Sequence, residues 1–188
     1  MIIPDRAFCE TLLEQYVVPE HIRDHSRQVC RVALVLLDHW ASTANGIDRK
    51  LVQAASMLHD ITKARSFDTG EDHANTGEVL LAGIGYPEVG YIVGRHVVLD
   101  DYSAEHPVGA AEIVNYADKR VLHDRIVPLA DRMAYILERY GGSPARCDRI
   151  RLLTHASEEL EQRIFSLLSI APPDLEALVS GKDATLIS

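Results

Sequence analysis

Apolar residues recur at three- and four-residue intervals along nearly all of this 188-residue chain, and no stretch of useful length alternates apolar with polar. Spacing of that kind lays one apolar stripe along a helix, whereas a half-buried strand needs a period of two. Such stripes are buried only by packing helix against helix, so the expectation is an all-α, single-domain helical bundle. The length suits one domain with a proper core and is too short for two large ones. No internal repeat or low-complexity tract interrupts the pattern.

Punctuation by Pro, Gly and capping residues divides the chain. Phe8, Leu12, Leu13 and Tyr16 mark an opening helix that stops before Pro19. A long helix from Glu20 to about Ser42 follows, carrying Ile22, Val29, Val32, Ala33 and Leu36, and Asn45-Gly46 closes it. Asp48 caps a third helix through Leu51, Ala54, Ala55 and Leu58. Residues 64–72 read as a loop, His73 to Ile84 as a helix, and Gly85-Tyr86-Pro87 as a turn into a shorter helix ending near Val98. After a loop at 100–103, helices are expected over Pro107–Val121, Pro128–Tyr140 and Pro144–Ser169, each with proline in or near its first turn. Pro172-Pro173-Asp174 opens one short final helix, and 181–188 reads as a frayed tail. The clusters Arg149-Ile150-Arg151 and Glu158-Glu159-Leu160-Glu161 read as a solvated helix face. This divides the chain into an N-terminal helix (1–19), a central helical domain (20–140) and a C-terminal helical extension (141–188).

The formal charge of −9 argues against a nucleic-acid duplex or an anionic membrane as partner. It leaves an anionic small molecule open, since bound cations invert the local potential. Cys9, Cys30 and Cys147 are odd in number, widely spaced and in no C-x-x-C pair, which suits a reduced compartment. Asp5 and Arg6 stand where a signal peptide would have its apolar core, and the run Val32–Leu37 is far too short to span a bilayer. The expected location is cytoplasmic.

The chemistry-bearing residues centre on His59-Asp60, at the end of the apolar stretch Leu51–Leu58. His25 lies in the preceding helix and Asp118 in a later one. Imidazole and carboxylate together suit a borderline or moderately hard divalent metal, and a site with open positions can activate water. His59 and Asp60 are about 100° apart on a helix, so both lean toward one point only if the helix meets it end-on. Lys63 shares their face and can contact a phosphate or orient a carboxylate. A histidine on a half-apolar helix is ordinarily a packed, hydrogen-bonded residue, and an ion pair with Lys63, Lys119 or Arg120 would account for either aspartate. Spacing alone leaves both readings open.

The order of local patterns is more specific. His25-Ser26-x-x-Val29, Ala55-x-x-Leu58-His59-Asp60-Ile61-x-Lys63, His73-x-x-x-Gly77, Ile92-x-x-x-His96 and Ala117-Asp118-Lys119 together resemble the HD superfamily of metal-dependent phosphohydrolases, over roughly residues 20–140. The resemblance implies an all-α fold with a central site in which His25, His59, Asp60 and Asp118 bind a first metal. His73 and His96 match the additional histidines of dinuclear members, with Asp60 as the bridge. It further implies hydrolysis, by metal-activated water, of a phosphoester or phosphoanhydride in a nucleotide or similar small molecule. Asp60 and Lys63 would act directly, and Lys63, Arg95, Lys119 and Arg125 would contact the substrate. The common His-Asp-Ile-Gly is His-Asp-Ile-Thr here, followed by Lys63. That ending is similar to the branch containing symmetrical diadenosine-tetraphosphate hydrolases and sets the chain apart from cyclic-dinucleotide phosphodiesterases. One or two divalent metals are implied, iron or manganese first, with nickel, cobalt, zinc and magnesium within range. Two other readings stand beside this one: a dinuclear-metal oxygenase of the HD type, and a non-catalytic metal- or nucleotide-binding sensor module. Whether the chain forms a homodimer is left open.

Overall fold

The computed structural model describes residues 2–41, 46–99 and 106–183. The chain is an all-α domain whose helices are α1 (Arg6–Gln15), α2 (Glu20–Asp38), α3 (Arg49–Leu58), α4 (Lys63–Thr69), α5 (His73–Gly83), α6 (Pro87–Val93) and α7 (Ala110–Asp118), followed by α8 (Leu129–Tyr140), α9 (Pro144–Ser166) and α10 (Leu175–Asp183). A two-residue hairpin, β1 (Val121–Leu122) with β2 (Arg125–Ile126), joins α7 to α8.

Side-chain caps start several helices. Asp48 accepts from the amides of Lys50 (2.8 Å) and Leu51 (3.2 Å), and Asp72 accepts from Ala74 (3.0 Å) and Asn75 (3.3 Å). These bonds satisfy amide donors that have no partner in the first turn. At the centre, α2 packs on α3, and α7 packs on both. The stripe of α2, with Val29, Val32, Ala33 and Leu36, is fully buried, as the 3.6-residue pattern requires. Leu160, Ile164, Leu175 and Val179 of the C-terminal helices belong to the same core. No helix among the described residues is long and apolar enough to cross a membrane.

Several boundaries differ from the sequence expectation for tertiary reasons. Helix α2 ends at Asp38 rather than near Ser42, because Trp40 pairs with the distant Leu168 backbone and the Ala41 amide donates to Leu167 O (2.9 Å). Residues 64–72 are no simple loop: they hold α4, which Gly70 ends with φ 70°. Helix α6 ends at Val93, not Val98, and α7 begins at Ala110, so Pro107 lies before it. The hairpin between α7 and α8 has strands too short to leave an alternating pattern. The expected closure of α2 by Asn45, the loop at 100–103 and the tail beyond Asp183 lie outside the described residues.

One polar clamp ties the C-terminal segment to the centre. Buried Arg120 donates to Val127 O (2.8 Å), to Tyr116 Oη (2.5 Å) and to Pro172 O (3.0 Å), and lies 3.4 Å from a Glu161 oxygen. Tyr116 Oη itself donates to Glu161 Oε2 at 2.5 Å. Glu161 is therefore a structural anion and not part of a solvated face. Buried charges held this way are costly to strand. Arg120→Met is expected to lower stability by about 3 kcal/mol, read by urea unfolding, because it removes four hydrogen bonds, the one to Glu161 among them, and leaves Glu161 without its cation.

Candidate metal centre

Helix ends build this site. His59 is the C-cap of α3, Asp118 is the last residue of α7, and His73 is the first of α5. His96 lies three residues past the end of α6, while His25 projects from within α2. Ending α3 at Leu58 lets the chain turn through His59 and Asp60, so both side chains reach the interior although they are adjacent in sequence. His59, Asp60 and His96 are essentially inaccessible to solvent.

All six residues converge. His25 Nε2 lies 3.0 Å from Asp118 Oδ1 and 3.9 Å from Asp60 Oδ2. His59 Nε2 lies 3.4 Å from Asp60 Oδ2 and 3.7 Å from Asp118 Oδ1. On the other side of the same carboxylate, Asp60 Oδ1 lies 3.4 Å from His73 Nε2 and 3.5 Å from His96 Nε2. Those two imidazole nitrogens are 3.2 Å apart. One ligand-capable atom each from His25, His59 and Asp118 falls within a 4.8 Å span, and the same holds for His59, Asp60 and His96.

Backbone carbonyls fix the histidine tautomers. His59 Nδ1 donates to Ser56 O, His96 Nδ1 to Val93 O and His25 Nδ1 to His123 O, each at 2.7 Å. A carbonyl oxygen only accepts, so Nδ1 carries the proton and Nε2 of each neutral ring presents a lone pair to the centre. A backbone acceptor on the far ring nitrogen in this way fixes the orientation of an imidazole that can ligate a metal. The His123 carbonyl comes from the tip of the β1–β2 hairpin, where His123 takes φ 58°. Only the hairpin brings that acceptor to α2.

Two buried carboxylates dominate the electrostatics. Burial opposes their charge, but Lys63 and His59 beside Asp60, and His25 and Arg132 beside Asp118, hold both well below the ordinary carboxylate range. Burial likewise opposes a charge on His59, and Asp60 and Asp118 override it and raise its pKa. His96, where burial dominates, is shifted down. His59 Nε2 and Asp60 Oδ1 have no hydrogen-bond partner although both are buried. Buried lone pairs left unsatisfied in this way are expensive without a cation beside them. The residues therefore fit a divalent metal, and the nitrogen and oxygen donor set excludes none of the borderline ions.

Comparison with known proteins agrees. The HD domain family matches residues 22–136 of the chain. This chain belongs to the HD domain family. No curated protein and no solved structure matches it. Its centre carries buried His/Asp groups able to hold a metal of the kind HD domains bind.

Around the HD centre, the cations expected from sequence divide. Lys63 Nζ donates to Asp60 Oδ2 at 2.7 Å, and Lys63 also lines a cavity of about 810 Å³ that reaches His73, His96 and Asp118. Lys119 lines the same cavity, but its ammonium is occupied by Asn115 Oδ1 (2.7 Å) and the carbonyls of His96, Val97 and Asn115 (3.3 Å each). Burial pushes its pKa down to about 8. Arg95 does not reach the centre: it stacks on Tyr91, lies 3.6 Å from Glu78 Oε2 and lines a different cavity. Arg125 is exposed on β2 and is not part of the cavity wall. His21, on the same helix as His25, is exposed.

Two residues were not singled out by sequence. Arg132 of α8 enters the cavity with a guanidinium nitrogen 4.0 Å from Asp118 Oδ1, and its Nε is buried with no hydrogen-bond partner. Nothing local marks it, because what it meets depends on where packing against α9 holds α8. Asn115 Nδ2 donates to Arg95 O (2.9 Å) and His96 O (3.0 Å), pinning the turn that carries His96. Its signal was visible: a polar residue one turn before Asp118 within an apolar helix.

Asn115→Ala is expected to lower metal affinity about 10- to 100-fold, because the turn carrying His96 loses the hydrogen bonds that pin it, measured by competition with a chromophoric chelator. Metal uptake should also fall as pH drops from about 7 to about 5, because protons compete for Nε2. His59, with its raised pKa, takes a proton before His96, with its lowered one. NMR titration of the imidazoles in metal-free protein reads that order.

Proposed function

We propose that this HD protein is a metal-dependent phosphohydrolase with a dinuclear centre, acting on a small organic phosphate. The observation that carries the reading is the placement of Asp60, whose two oxygens face different donor groups. Oδ2 faces His25 and His59, and Oδ1 faces His73 and His96. One ion would be held by His25, His59, Asp60 and Asp118, the other by Asp60, His73 and His96. Bound there, divalent metal supplies Lewis acidity and a water of lowered pKa.

The chain's own residues supply the rest. Asp60 orients the attacking water. Lys63 keeps Asp60 ionised and turns its remaining protons toward a phosphoryl oxygen. Arg132 offers its unpartnered Nε–H to the same group, so charge building on the non-bridging oxygens meets cations already held beside Asp60 and Asp118. Thiol chemistry is disfavoured, since burial pushes Cys9 up to about 12 and Cys30 to about 11. Nucleotides are the first substrates to assay, with diadenosine polyphosphates among them because of the Ile61-x-Lys63 ending. Manganese and iron are the first metals.

The test is elemental analysis of the purified chain beside Asp60→Ala, with both screened for phosphate release and oxygen uptake. The expected outcome is two metals per chain, lost in the variant together with phosphate release. His73→Ala should retain one. Oxygen uptake without phosphate release would move the protein to the oxygenase class. No metal in the wild type, and none taken up on adding divalent ions, would leave a binding module.

A further inference from the structure

The cavity at the metal centre extends well beyond it, and its outer part has a different chemistry. Three positions of α8 trace the change. Arg132, Ile136 and Tyr140 are spaced four residues apart, so they lie along one face, and all line the cavity. From the cation to the aromatic ring is about 12 Å along the helix axis. Opposite them, α9 contributes Ile150, Leu153 and Leu160. Phe67 of α4 and Leu152 complete the mouth, and both are large apolar side chains more than two-thirds exposed. Isolated exposed apolar residues are ordinary, but several around the opening of one cavity mark a contact surface.

Polar readout is nearly absent from this outer part. Ser66 Oγ donates to Lys63 O and Ser157 Oγ to Leu153 O, each at 2.7 Å, so both hydroxyl protons are spent on their own helices. The cationic groups Lys63, Lys119 and Arg132 gather at the metal end, and Arg149 stands at the exposed rim. A cavity of about 810 Å³ is of the size that encloses a small organic molecule, typically about 300–1,000 Å³, and a phosphate fills little of it. Its α9 wall lies outside residues 22–136, the part that matches the HD family.

We infer that the helical hairpin α8–α9 selects substrates whose phosphoryl group carries a sizeable apolar or aromatic organic part. That part lies between Ile136, Tyr140, Ile150 and Leu153 while the phosphoryl group sits at the metal end. The inference rests on the phosphohydrolase reading and narrows its substrate class. Recognition is by apolar contact and ring stacking, so each buried methylene adds about fourfold to affinity. A polar organic group of equal size gains little.

Hydrolysis-inert phosphonates test this on the full chain loaded with manganese, by calorimetry. Methylphosphonate, benzylphosphonate and 1-naphthylmethylphosphonate present the same headgroup with growing apolar parts. Affinity is expected to rise at least tenfold across the series. Leu153→Ala and Ile136→Ala should each shrink the naphthylmethyl-to-methyl ratio several-fold, whereas Arg132→Met should weaken all three ligands alike. A flat series with inorganic phosphate still binding would overturn the inference and leave the phosphohydrolase reading in place. Tighter binding of adenosine 5′-phosphonate than of the naphthylmethyl compound would overturn it too, in favour of a polar substrate. A flat series in a dimer that Leu152→Asp converts to monomer would assign the apolar mouth to a second copy of the chain. If neither phosphate nor any phosphonate binds, the phosphohydrolase reading fails and takes this inference with it.

Discussion

The carboxylates of Asp60 and Asp118 are held at the centre of an apolar bundle, and a bare carboxylate there costs several kcal/mol. Everything near them offsets that cost or exploits it. Lys63, Arg132, His73 and His96 approach from the cavity, and His25 and His59 approach from outside its wall. In their neutral forms the imidazoles of His25, His59 and His96 have no second proton to give the carboxylates, because each Nδ1–H goes to a backbone carbonyl. What remains is a set of lone pairs facing one another, a surrounding that a divalent cation stabilises and a neutral interior does not.

Helix termini make that arrangement attainable. The carbonyls of Ser56 and Val93 belong to the last turns of α3 and α6, where acceptors lack a full set of helical partners. Each therefore takes a histidine Nδ1–H from just beyond its own helix. Helix α7 also ends in the site, at Asp118. Three helix C-termini thus point their partial negative charge at one place, which adds to its preference for a cation. The hairpin after α7 completes the set by presenting His123 O to His25, at a residue held in the left-handed region.

The same geometry separates the site into two functional parts. Near the carboxylates, the walls are charged and fixed by hydrogen bonds such as those of Asn115 and Lys119. Farther out, between α8 and α9, they are apolar and partly exposed. The first part sets which group is bound and the second sets what that group is attached to. Variation in the C-terminal helices can then change the substrate without touching the metal ligands.

By itself, the sequence determined the all-α class, through the 3.6-residue periodicity, and several helix starts, through Asp48, Pro87, Pro128 and Pro144. Through the order of its short patterns, which resembles the HD family, it also pointed to His25, His59, Asp60, His73, His96 and Asp118 as candidate ligands. It could not fix which cations meet that set. Arg95 was the arginine expected there and Arg132 was not singled out, yet Arg95 stacks on Tyr91 in another cavity and Arg132 reaches Asp118. Nor could it show that Lys119 is bound to Asn115, that Glu161 anchors Arg120, or that 64–72 contains a helix contributing Phe67 to the cavity mouth. Those outcomes depend on where helices cross and which faces then meet. Crossing geometry comes from packing between residues far apart in the chain, so only the tertiary structure decided them.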